Sequence, residues 1–196
     1  MKKNYSKFYV LIALILIMGL SAYKYFFKSW SSYYQEKLYK EPRPLLIQVL
    51  KIYDHYPHAE KKALDLGAGV GNDTAFLLKN GWSVWANDKE SEALKILSTR
   101  KDIELYKDKL TLVEGSFTDI AWQTLPQFNL IYASYSLPFL TRDDFLQVWK
   151  HIITALESGG ILAVHFFGSG HGGFNAWEKR GMNFFTKEEI QALLKD

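Results

Sequence analysis

Three features between residues 63 and 88 have the types and spacing to do chemistry together. In Leu64-Asp65-Leu66-Gly67-Ala68-Gly69-Val70-Gly71-Asn72-Asp73, glycines stand where an apolar run ends and a polar, helix-forming run begins. Glycine has no Cβ, so the backbone can turn sharply there and approach a ligand without side-chain obstruction. Gly67 and Gly69, with Ala68 between them, are the expected points of approach. About 20 residues on, Val84-Trp85-Ala86-Asn87-Asp88 ends a second apolar run in a carboxylate, which can accept hydrogen bonds from ribose hydroxyls. A glycine turn with a distal acid fits any nucleoside-containing cofactor.

Asp65 narrows that choice. A nicotinamide dinucleotide fingerprint wants its third glycine one place later, where Asn72 stands, and its pyrophosphate disfavours a nearby carboxylate. Asp65, two residues before the first glycine, instead suits a ligand carrying cationic groups such as an ammonium and a sulfonium.

The elements that must hold these residues follow from periodicity. Residues 63–66, 82–86, 110–113, 128–133 and 160–167 read as strands, and residues 73–79, 90–98, 142–156 and 187–194 as helices. A further helix is expected to begin near Arg43, after the break at Pro42 and Pro44. Strands alternating with helices predict an α/β fold with a parallel, doubly wound sheet, whose ligand sits beyond the carboxyl ends of the strands at the switch point.

The blocks Ala63-Leu-Asp-Leu-Gly-Ala-Gly-Val-Gly-Asn-Asp-Thr74, Gly81-Trp-Ser-Val-Trp-Ala-Asn-Asp-Lys89, Ala133-Ser-Tyr-Ser-Leu-Pro-Phe139 and Gly159-Gly-Ile-Leu-Ala-Val164 occur in one order. Together they resemble class I S-adenosylmethionine-dependent methyltransferases, and more narrowly a bacterial branch similar to tellurite-resistance and other small-molecule methyltransferases. The resemblance runs from about Tyr33 to the end and implies a Rossmann-like sheet with S-adenosyl-L-methionine as cofactor. It implies that Asp65, Gly67, Ala68 and Gly69 surround the methionine part, that Asp88 holds the ribose, and that Ser116 and Phe117 flank the adenine. Ala133 and Ser134 would line the transfer site, with Ser134, Tyr135 and His171 near a small-molecule acceptor. No catalytic acid–base pair is evident, and methyl transfer can proceed by alignment and desolvation without one.

The chain departs from the family pattern in three places. Ser116 stands where an aspartate commonly contacts the adenine, and the fourth strand opens Phe128-Asn129 rather than Phe-Asp. Two strands that usually close the sheet are expected to be missing after Asp196. An open sheet edge would suit a protein partner, so a non-catalytic membrane adaptor is the alternative function.

Composition sets further bounds. With no cysteine, thiolate metal sites and disulfides are impossible, and His55 and His58 flank a proline loop that argues against a metal site. His165, inside a predicted strand, reads as a satisfied core histidine. The net charge of +3 belongs to the N-terminus: without Lys2, Lys3, Lys7, Lys24 and Lys28 the balance is 19 basic to 21 acidic residues. That balance argues against a phosphate-neutralising surface, so no nucleic-acid partner is expected.

The same N-terminus is uncharged from Phe8 to Tyr23, 16 residues. A helix of that length rises roughly 24 Å, short of the roughly 30 Å hydrocarbon core unless Lys7 and Lys24 snorkel. An N-terminal transmembrane anchor over residues 1–28 is expected. A cleaved signal peptide competes, although Leu20-Ser21-Ala22 is a poor cleavage site. Residues 29–60 then form a membrane-proximal helical segment and residues 61–196 the methyltransferase-like domain. Trp30, Tyr33 and Tyr34 could serve either as a lid or as an interfacial belt. A single-pass membrane protein with its domain facing the cytoplasm, where the resemblance places the cofactor, is the resulting expectation.

Overall fold

A computed structural model describes residues 30–54, 60–168 and 181–195. The chain separates into two compact units, Met1–Leu38 and Tyr39–Asp196. Helix α1 (Trp30–Lys37) belongs to the first, where the Lys37 ammonium lies 5.5 Å from the Tyr33 ring centroid. The stretch expected to anchor the chain lies outside the described residues. Among the described residues no helix is long and apolar enough to cross a membrane.

The second unit is built on strands β1 (Lys62–Leu66), β2 (Ser83–Asp88), β3 (Leu110–Glu114), β4 (Phe128–Ala133) and β5 (Leu156–Val164), all parallel in the order β3-β2-β1-β4-β5. The chain winds outward from β1 through β2 to β3, then returns to lay β4 on the other side of β1. The switch point therefore falls at the carboxyl end of β1, where the glycines are.

Strand alternation sorts the side chains into two layers. Ala63, Val84, Ala86, Leu130 and Tyr132 pack against helices α2 (Pro44–Tyr53), α3 (Asn72–Lys79) and α4 (Ser91–Ser98), through Leu46, Leu77, Leu78 and Leu97 among others. Leu64, Leu66, Phe128, Ile131 and Ala133 face the other way, against Phe145, Val148, Trp149 and Ile152 of α5 (Arg142–Ala155). Helix α6 (Lys187–Leu193) adds Ile190 and Leu193 to that layer. Full burial of each Leu contributes roughly 1.5–3 kcal/mol, so the two layers fix the sheet and with it the edge that carries the glycine turn.

Local signals set the ends of these helices. Helix α5 starts where the Thr141 hydroxyl accepts the Asp144 N–H at 3.2 Å. Helix α6 opens with a capping box, in which Thr186 accepts the Glu189 N–H and Glu189 accepts the Thr186 N–H.

The fifth strand differs from its predicted range. It begins at Leu156 and ends at Val164, whereas the paired glycines suggested a loop up to residue 159 and a strand reaching residue 167. Phe128 pairs with Leu156, but Leu130 pairs with Ile161, so residues 157–160 bulge from the ladder with Gly159 at φ +79°. The glycines thus mark a bulge inside the strand rather than its start. Three 3₁₀ segments, Lys101–Lys109, Trp122–Thr124 and Leu137–Phe139, carry too little periodicity to be read from sequence.

Asn129 has a structural reason for replacing aspartate. At the amino end of β4 its Oδ1 accepts the Lys62 N–H at 3.0 Å, while its Nδ2 donates to the Glu157 carboxylate. An aspartate could not make the second bond.

Gly71 caps α3 at φ +75°, and a Cβ there would lie 2.2 Å from Leu97 Cδ1. We expect Gly71→Ala to destabilise the fold by about 2–4 kcal/mol in denaturant titration, combining overpacking with left-handed backbone strain. Adding Leu97→Ala should return part of that loss in a double-mutant cycle. Simple additivity would show that the two residues do not press on each other.

Candidate cofactor and acceptor site

The turn after β1 is held by the strand beside it. The N–H groups of Gly67 and Ala68 both donate to the Asn87 carbonyl, at 2.9 and 2.8 Å, so β1 bends away as soon as its pairing with β2 ends. Gly67 (φ +78°) and Gly69 (φ +54°) both take the left-handed conformation that favours glycine. A Cβ on Gly67 would stand 2.5 Å from Ser136 Cβ and 3.7 Å from the Phe117 ring. Ser136 is drawn in by its own hydroxyl, which donates to the Leu66 carbonyl at 2.6 Å. The loops following β1, β3 and β4 therefore meet at Gly67.

Asp88 braces the same turn. One carboxylate oxygen accepts the Gly69 N–H at 2.8 Å and the other accepts the Glu90 N–H at 3.0 Å. An ionised carboxylate offers about four lone-pair positions, so two remain for a ligand. Asn87 secures the third loop by donating to the carbonyls of Val113 and Gly115 at 2.8 and 2.9 Å. Its buried Oδ1 has no hydrogen-bond partner among the described residues.

Asp65 and Tyr132 are register partners on the α3 side of the sheet, and each reaches the first turn of α3. The Thr74 hydroxyl donates to Asp65 at 2.6 Å, and the Tyr132 hydroxyl donates to Asp73 at 3.2 Å. Asp73 also accepts the Arg43 N–H at 2.8 Å and lies 3.8 Å from its guanidinium. Burial first, and then the nearby Asp73 charge, push the Asp65 carboxyl up to about 7. Burial likewise raises Asp73, against the opposing pull of Arg43. The floor of the site is the buried Asp65 carboxyl beside the partly exposed Asp73, a pair well suited to cationic groups of a ligand.

Of the other residues singled out from sequence, Ala133 is fully buried at the end of β4, and Ser134 and Tyr135 follow it. Ser116 donates to Asp119 at 2.6 Å within its own turn, so a carboxylate stands three residues beyond the place where an aspartate is usual. His171 lies outside the described residues. His165 needs correction: it follows β5 rather than lying within it, is half-buried, and meets Ser134 Oγ through Nδ1 at 2.9 Å. Reading β5 as ending at residue 167 hid it. Arg43 and Thr74 also escaped notice, because nothing in their own neighbourhood of the sequence points to Asp65 or Asp73.

Comparison with known proteins settles the family. The methyltransferase-domain pattern matches residues 63–160, half of the 196-residue chain. The chain belongs to the methyltransferase-domain family. It is 25% identical over 167 residues to phosphoethanolamine N-methyltransferase 1 of Zea mays, covering 82% of this chain but only 32% of that protein. An uncharacterized methyltransferase of Oceanobacillus iheyensis is 22% identical over 178 residues, covering 87% of this chain and 77% of that one.

Solved structures share the fold. TehB from Haemophilus influenzae superposes with a TM-score of 0.64 at 17% identity, over 86% of this chain and 55% of that one. Magnesium protoporphyrin IX methyltransferase from Synechocystis PCC 6803, solved with bound S-adenosylhomocysteine, gives 0.62 at 14%, over 89% and 86%. The glycopeptide N-methyltransferase MtfA in complex with S-adenosyl-L-methionine gives 0.52 at 22%, over 68% and 57%.

The raised Asp65 has a consequence for stability. The folded chain keeps the Asp65 proton up to about pH 7, while an unfolded aspartate releases it near pH 4. Within that window the native state binds the extra proton, so this contribution to stability is complete below the window and lost as pH rises through it. Chemical denaturation at pH 5 and pH 8 should show a loss on the order of a few kcal/mol that Asp65→Asn removes. An unchanged pH dependence in that variant would place the carboxylate in water.

Proposed function

We propose that this chain binds S-adenosyl-L-methionine at the Gly67–Gly71 turn and transfers its methyl group to a small molecule. The observation that carries this reading is the pairing of Asp88 with the Gly69 N–H, which leaves carboxylate positions open beside a glycine turn floored by Asp65. Family membership and the bound S-adenosyl ligands of MtfA and the Synechocystis enzyme support it. Asp65, Gly67, Ala68 and Gly69 receive the methionine part, Asp88 the ribose, and Ser116 and Phe117 the adenine. Ala133 and Ser134 border the reacting methyl, and Tyr135 stands toward the acceptor. The maize relative acts, by its name, on phosphoethanolamine, but this chain spans a third of that protein. The non-catalytic adaptor has no specific observation in its favour.

Isothermal titration of the full chain in mild detergent tests the proposal. S-adenosylmethionine and S-adenosylhomocysteine should both bind, and Asp88→Ala should weaken them about 10- to 100-fold, the worth of hydrogen bonds to a charged group. Affinity for S-adenosylmethionine should rise with pH through about 7, because a cationic ligand favours ionised Asp65. Absence of binding in the unaltered chain would overturn the assignment.

We also propose that residues 1–28 anchor the chain in a single pass, with the domain facing the cytoplasm. The uncharged run from Phe8 to Tyr23 and its lysine flanks support the anchor, and the cytosolic cofactor that the family resemblance implies supports the orientation. On alkaline carbonate extraction the full chain should stay with membranes, while a chain lacking residues 1–28 should be released. Release of both would remove the anchor.

A further inference from the structure

Ser134 and His165 leave the sheet side by side. Ala133 and Val164 are register partners at the ends of β4 and β5, and the His165 N–H donates to the Ala133 carbonyl at 3.0 Å. The next residues along the two strands thus project together, which brings Ser134 Oγ and His165 Nδ1 within 2.9 Å. No partner for the other ring nitrogen, Nε2, occurs among the described residues.

The imidazole is also held in place. Tyr135 lies flat on it, with ring centroids 4.3 Å apart and planes 7° from parallel, and the Arg43 guanidinium sits 4.6 Å from the Tyr135 centroid. Tyr135 reaches this position with φ +56°, a left-handed backbone unfavourable for a non-glycine residue. Such strain persists only where surrounding contacts impose it, and it concentrates at functional sites. The charged and titratable groups near the imidazole are Arg43 ahead of α2, Asp73 on α3, and Tyr132 and Tyr135 on and after β4. Burial and the Arg43 charge hold His165 below the ordinary histidine range, with Asp73 opposing, which favours the neutral ring.

We propose that the Ser134–His165 pair takes up the proton shed by the methyl acceptor, and hence that the acceptor reacts through an oxygen or nitrogen that still carries a proton. This rests on the methyl-transfer reading above. In the step, a lone pair on the acceptor heteroatom forms the new bond to carbon while the carbon–sulfur pair returns to sulfur, neutralising the sulfonium. The heteroatom keeps the electrons of its bond to hydrogen. Its proton passes to His165, either directly at Nε2 or through Ser134 Oγ to Nδ1, and then to solvent. A pre-formed thiolate would need none of this.

The test uses the full chain in mild detergent, loaded with S-adenosylhomocysteine. Nuclear magnetic resonance of ring-labelled histidines, assigned with His165→Gln, should show His165 neutral at pH 7. Arg43→Gln should move its titration upward, and Ser134→Ala should shift it. Diethyl pyrocarbonate should acylate His165 in the unloaded chain. Across phenols, carboxylic acids, amines and thiols, S-adenosylhomocysteine formation should favour the oxygen and nitrogen acids, with the acid limb of kcat/KM at the His165 titration. His165→Gln should lower that turnover about 10²- to 10⁴-fold, the range of general-base catalysis, without changing the Kd for S-adenosylmethionine. A His165 that is protonated at pH 7, inert to acylation or indifferent to Ser134→Ala overturns the proposal, whether or not an acceptor is found. So does turnover confined to thiols or undiminished in His165→Gln. If S-adenosylmethionine fails to bind the unaltered chain, the methyl-transfer reading falls too, whereas intact binding with an unresponsive His165 strikes only the pair.

Discussion

The turn at Gly67 and Gly71 is squeezed from two sides, and much of the remaining site follows from that constraint. Ser136 lies where a Gly67 side chain would be, and Leu97 where a Gly71 side chain would be. Two glycines therefore let the loop after β4 and helix α4 close on the turn after β1. Their approach also sets where the N–H of Gly69 can meet Asp88. A single methyl group at either glycine would push apart elements that the whole carboxyl edge shares.

Around that turn, neighbouring strands supply neighbouring roles. Asp65 and Tyr132 lie side by side on one face, and both are tied to the start of α3. Ser134 and His165 lie side by side one strand further out. The two groups meet along β4, and Arg43 touches both by bonding Asp73 and stacking on Tyr135. The segment before α2 is thereby drawn into the site although it precedes the first strand. Burial of acidic groups at this edge is unfavourable for an empty protein and favourable for one holding a cationic ligand, and such a trade of stability for affinity is common at functional sites.

The turn after β3 shows how a departure from a family pattern can be absorbed locally. Ser116 turns its hydroxyl to Asp119, so negative charge is displaced by one turn rather than removed. Asn129 shows the opposite case, where the departure serves the fold: it bridges β1 to the bulged part of β5, far from the carboxyl edge.

The sequence by itself determined the parallel, doubly wound sheet and the glycine turn that stands with Asp65 and Asp88 at one edge of it. Those signals are local: apolar runs of strand length, a glycine turn between strand and helix, and an acid at the end of the next strand. β4 matched its predicted range because residues 128–133 are buried on both faces and polar residues flank the run. Only the tertiary structure brought His165 to Ser134 and Asp73 to Tyr132. The Ser134–His165 contact spans 31 residues, the Tyr132–Asp73 bond 59, and neither partner carries a local mark of the other. β5 was misplaced because a bulge with glycine looks, along the chain, like a loop, and its true end is set by pairing with β4. Periodicity reports which side of an element is buried, whereas the meeting of distant side chains depends on register, which is fixed when the strands pair.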